Sequence, residues 1–203
     1  LVYVDATQGW VATQDDSSNI SGESFITATG GTITTSGNDK IHKFTGPGTF
    51  AVSAISGEAA NNLVSYVVVG GGGGGSGMDG NNSQGGGGGG AGGFREVKSP
   101  ATPYTASPKC GHGTPGNRIT VTAASFPITV GGGGTAGSQG AGGNTGSNSI
   151  FSTIIAAGGG GVTGGCSGNG KNGGSGGGGS ANSGNLGSGN TPPTSPAQGN
   201  DGG

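Results

Sequence analysis

Three times in this chain an apolar, β-branched run passes directly into glycine: VVVGGGGGG at 67–75, ITVGGGG at 128–134 and IIAAGGGG at 154–161. Glycine gives up more backbone freedom on ordering than any other residue. A tract of it folds only if hydrogen bonds compensate, and a flexible linker has no reason to repeat the same junction. The glycines are also segregated. Of 56 in 203 residues, eight precede residue 70, so two regions of different chemistry meet near Val69.

One conformation suits such tracts. A polyproline-II helix turns once in three residues, rises ~3.1 Å per residue and makes no internal hydrogen bond, so each N–H and C=O points outward. Without side chains, several such helices can pack side by side and bond to one another, which satisfies backbone groups that cannot be left unpaired when buried. A six-residue tract such as 70–75 or 85–90 spans ~19 Å in this form. The competing expectation, from Gly and Ser enrichment without a strict period, is that 70–203 stays disordered.

The remaining segments read as strands. LVYVDA (1–6), SFITATG (24–30), GTITTSG (31–37), KIHKFTG (40–46), TFAVSAIS (49–56), LVSYVVV (63–69), FREVK (94–98), RITVTA (118–123), FPITV (126–130) and SIFSTIIAA (149–157) are short, rich in β-branched or aromatic residues and bounded by Gly, Asn, Asp and Pro. GND and GPG mark tight turns. No window has helical periodicity. The expected fold is therefore all-β, an antiparallel β-sandwich with packed polyglycine-II helices and no α-helix. It divides into an N-terminal β module (1–60), a glycine-rich domain (61–190) and an extended, loosely held tail (191–203).

Composition and motifs exclude several functions. Seven basic against nine acidic residues leave no electrostatic footprint for nucleic acid. No apolar run approaches the ~18 residues that cross a bilayer, and the N-terminus lacks the pattern of a secretory signal. The abrupt start at Leu1 suggests a piece of a longer chain. GxGxxG matches between 70 and 93 carry no information in such a composition, and neither the GK[ST] of a P-loop nor the helix and acidic residue of a dinucleotide site follows. DDSSNISGE does not fit calcium-loop spacing. No metal or cofactor is expected, and paired catalytic carboxylates are not evident.

His42 reads as a surface or cross-strand packing residue. Cys110 and His112 have C-x-H spacing but no third group to orient them. Cys110 and Cys166 are either unrelated thiols or one disulfide, worth about 2–4 kcal/mol if formed. What remains is surface, since loops on a rigid scaffold are where binding residues concentrate. The candidate contact residues are Met78, Asp79, Asn81 and Asn82 in SGMDGNNSQ, and Tyr104, Lys109 and His112 in the long 98–117 segment. The Asn/Ser pieces at 144–149 and 168–172 are further candidates.

YVVVGGGGGGSG, then GGGGGGAGGFRE, ITVGGGGTAG and GSNSIFSTIIAAGGGGV, resembles in order and spacing the glycine-rich domain of bacteriophage tail-fibre proteins. GGTITTSGNDKIHKFTGPGTFAVS is similar to the β module that often precedes it. The resemblance spans about residues 24–180, with Arg95 at the arginine of the GGAGGxR motif. It implies a non-enzymatic virion component outside the cell, a homo-oligomer and most often a trimer. It also implies contacts with other tail or fibre proteins and with a host surface glycan or outer-membrane protein. The alternative is a purely structural subunit of a filament or capsid decoration, without a receptor.

Overall fold

A computed structural model describes residues 2–5, 9–11, 25–78, 85–165, 167–181 and 184–203. The described chain is all-β with antiparallel sheets, and its helical content is two short 3-10 helices, Ala59–Asn62 and Pro115–Asn117. No helix among these residues is long and apolar enough to cross a membrane.

Strands β1 (Val2–Asp5) and β2 (Gly9–Val11) form a ribbon of two. β3 (Thr27–Thr29), β6 (Gly48–Ala54), β11 (Ser125–Thr129), β12 (Ser149–Phe151) and β13 (Ile154–Ala156) build a five-stranded sheet in the order 13-12-11-6-3. β4 (Thr32–Ser36) and β5 (Asp39–Lys43) form a hairpin over the Gly37–Asn38 turn, with Gly37 at φ 57°. Two further ribbons pair β7 (Leu63–Val64) with β10 (Ile119–Thr120) and β8 (Tyr66–Val69) with β9 (Phe94–Val97). The core lies between the five-stranded sheet and these two ribbons. Phe50, Val52, Phe151 and Ile154 meet Tyr66, Val68, Val97 and Ile119 there, and Phe151 stands edge-on to both Phe50 and Tyr66.

Beyond the sandwich the strands continue as polyglycine, and the hydrogen-bond period changes from two to three. Gly70, Gly73 and Ser76 donate to the carbonyls of Gly93, Gly90 and Gly87. Gly71, Gly74 and Gly77 donate to those of Ser147, Asn144 and Ala141, while Gly72, Gly75 and Met78 accept from Gly134, Gly137 and Gly140. One tract thus serves three neighbours in rotation, as a three-fold helix without internal bonds must. Polyglycine-II packing holds the bundle.

Residues 158–161 form its buried centre. Their amides and carbonyls reach Gly71, Gly90, Gly146, Lys171, Gly174 and Ser175. A Cβ at Gly73 would collide with the Gly160 carbonyl, and one at Gly160 with the Lys171 carbonyl, so close approach of backbones dictates glycine at both.

Three expectations change. SIFSTIIAA is not one strand but the hairpin β12–β13, turning at Ser152 with φ 54°. Serine is not a residue that announces a left-handed turn, and the apolar run hides it. The tail is not loosely held. Gly176 and Asn190 donate to the carbonyls of Asn200 and Gly174, and Gln198 is 3 % exposed, donating from Nε2 to the Pro192 carbonyl and accepting from the Ala157 amide. The Asn/Ser pieces are at the surface but are not free turns. Asn148 and Thr145 accept from the amides of Gly158 and Gly161, and Asn169 and Asn172 accept from Asn185 and Ser188. Short polar side chains replace a neighbouring carbonyl where the lattice lacks one.

Candidate functional site

The segment after β9 folds back against its own strand. Gly111 donates to the Glu96 carbonyl, and Lys98 N–H points at Cys110 Sγ, 3.4 Å away. β9 is shielded here, so Arg95, Glu96 and Val97 are all buried.

Glu96 clamps the loop from inside. Its carboxylate accepts from the Ser107 amide at 2.9 Å and from the Ser107 hydroxyl. Burial, helped by the nearby Glu96 carboxylate, pushes the Tyr104 phenol up to about 12. Tyr104 is 38 % exposed, so it presents a face to solvent.

The loop is closed by a second polar cluster at its base. Arg95 Nη2 donates to Asn117 Oδ1 at 2.6 Å, Tyr66 OH donates to the Asn117 carbonyl at 2.6 Å, and Asn117 Nδ2 donates to the Ser195 carbonyl at 2.7 Å. Burial raises the Tyr66 phenol to about 12 against the opposing pull of Arg95. Three distant segments therefore meet at one asparagine. Arg118 Nε donates to the His112 carbonyl and fixes the last turn.

The structure brings Tyr104, Lys109, Cys110 and His112 into this one loop, with Lys109 exposed and His112 half-buried. Met78 is elsewhere. It ends the 70–78 tract, 58 % exposed, whereas the loop leaves the opposite end of the β8–β9 ribbon. Four strand residues and the nine residues of the 70–78 tract put on the order of 40 Å between them. Asp79, Asn81 and Asn82 lie outside the described residues, as does Cys166; Cys110 carries a free thiol. No group of three or more metal-ligating side chains occurs among the described residues. His42 packs edge-on to Phe50 with its ring centroid 5.0 Å away, and its Nδ1 lies 2.8 Å from the Gly30 carbonyl.

Sequence reasoning did not find Glu96, Ser107, Asn117 or Gln198. A buried Glu inside FREV and a Gln inside PAQGN have no local signature, because their partners are 11 and 41 residues away. It also did not find an apolar groove of about 1130 Å³ bounded by β5 and β8 and floored by Phe50, Ile128 and Phe151.

The family model described as the glycine-rich domain matches residues 44–203, most of the chain and the whole of the polyglycine bundle. The chain belongs to that family. Comparison with curated proteins and with solved structures gave no match.

Proposed function

We propose that this chain is a structural and adhesive segment of a phage tail fibre, non-enzymatic and extracellular in the virion. The polyglycine bundle is a stiff mount, and the 98–117 loop is the face it offers to a host glycan or outer-membrane protein. The observation that carries this reading is the clamp on that loop. Glu96 fixes Ser107 from the buried side, so the loop that carries the solvent-facing Tyr104 ring is shaped before any partner arrives. Preorganisation of this kind lowers the ordering cost of binding. Tyr104, Lys109 and His112 are the contact residues; Met78, at the other end, belongs to a separate face.

A receptor-free structural role is the second reading. It is favoured by the use of Thr145 and Asn148 as acceptors for bundle amides, which gives these exposed side chains a structural role.

Labelled chain incubated with a panel of bacterial strains separates the two. Saturable binding to a strain, reduced at least tenfold by Tyr104→Ala with His112→Ala, supports the adhesive loop. Binding untouched by both substitutions removes the loop from the account, and a folded chain that binds no strain favours the structural role.

A further inference from the structure

We propose that the groove between β5 and β8 receives a β-strand from a second copy of this chain, namely the β1–β2 ribbon. The inference goes beyond the adhesive reading and does not depend on it.

β8 has one paired edge and one open one. On β9, the Phe94 amide donates to Gln198 and the Glu96 carbonyl accepts from Gly111, so residues 94 and 96 point away from β8. In an antiparallel pair, residues opposite each other share the same direction. Their partners Val69 and Val67 therefore turn their amides and carbonyls to the far edge of β8. Among the described residues no hydrogen bond takes up those groups.

That edge opens into the groove. Val67, Val68 and Val69 all line it, as does the whole run Lys40–Lys43. β5 is itself paired on one side only, with β4. The groove thus lies between the open edges of β8 and β5, with Thr102, Pro103 and Tyr104 of the 98–117 loop also lining it. A strand of four residues occupies roughly 640 Å³, taking a spacing of about 4.8 Å, a layer of about 10 Å and a rise of about 3.3 Å per residue. The groove holds about 1130 Å³. One added strand fits.

The occupant is named by what else in the chain lacks a partner. Among the described residues β1 and β2 pair only with each other, and a two-stranded ribbon is marginal in water until something joins it. Its sequence, VYVD, is apolar with one acid, and the groove rim carries Lys40 and Lys43 against Asp39. An extended segment meeting a free edge bonds through its main chain, and its side chains select the site. Among the described residues the ribbon and the β8 edge of one chain are not paired, and the partner assigned here is another copy.

Sedimentation of the full chain across a concentration series tests this, beside binding of a labelled peptide of residues 1–11 to the same chain. Val67→Pro removes one edge donor while leaving the β8–β9 bonds, which run through residues 66 and 68; Lys40→Glu with Lys43→Glu changes only exposed rim charges. The expected result is concentration-dependent association, competed by the peptide, with both variants at least tenfold weaker and circular dichroism unchanged. A monomer at all concentrations overturns the proposal, including one that binds the peptide or protects the Val67 and Val69 amides within its own chain. So does association equal to wild type in the folded Val67→Pro variant or, should that variant not fold, in the rim double variant.

Discussion

The Gly159 amide donates to the Gly71 carbonyl at 2.8 Å, joining the tract that follows β13 to the tract that follows β8. Gly159 in turn accepts from Gly146 at 2.9 Å, so one residue with no side chain links three segments. The bundle is built from such bonds, and its stability should depend on which glycines are crowded.

Gly160→Ala places a methyl against the Lys171 carbonyl and the Gly177 amide, backbone atoms that cannot swing aside. Overpacking of this kind should cost about 3 kcal/mol or more. Gly88→Ala and Gly132→Ala meet nothing within 4 Å and should be neutral or stabilising by up to about 1 kcal/mol, since alanine has less freedom to lose. Urea unfolding midpoints of the three variants check the contrast.

Asn117→Ala leaves the Arg95 guanidinium without its 2.6 Å acceptor in a buried site and frees the Ser195 carbonyl. Breaking a buried, charge-assisted bond predicts a loss of about 2–4 kcal/mol. Thermal unfolding should show it, with the tail and the 98–117 loop opening to protease first.

Gln198→Ala strands the buried Ala157 amide and cuts the tie to Pro192. The expected cost is about 1–3 kcal/mol, with faster hydrogen exchange confined to residues 190–203 and their neighbours. Exchange unchanged in the tail would contradict its anchoring role.

Alkaline pH should unfold the chain early. Tyr66 and Tyr104 ionise near 12 in the fold rather than near 10, so below pH 10 both are neutral whether folded or not and their contribution is whole. Between 10 and 12 the unfolded chain ionises first and stability falls, for Tyr66 by roughly 2–3 kcal/mol in all. Glu96→Gln should lower the Tyr104 midpoint, read by NMR titration, and leave Tyr66 in place.

Much of this architecture was legible because its causes are local. β-branched runs ending in glycine, and turn residues such as Gly37–Asn38, carry their own signal. What stayed hidden depends on contacts distant in sequence. Ser152 gives no hint of its left-handed turn, and Asn148 looks like a loop residue until Gly158 stands opposite it. The tail reads as free until Gln198 is placed beside Ala157. For the candidate site, the sequence marked the loop by its length and by Tyr104 and His112. The Glu96 clamp that fixes its shape comes from a strand residue whose burial only the folded chain reveals.

Amide hydrogen exchange at Gly159, Gly160 and Gly161 addresses the polyglycine-II bundle most directly, because free glycine tracts exchange at the intrinsic rate. The account predicts exchange slowed at these three amides to the level of the Phe151 and Val68 core, through global unfolding. Exchange at the intrinsic rate there, with the sandwich still protected, would contradict it.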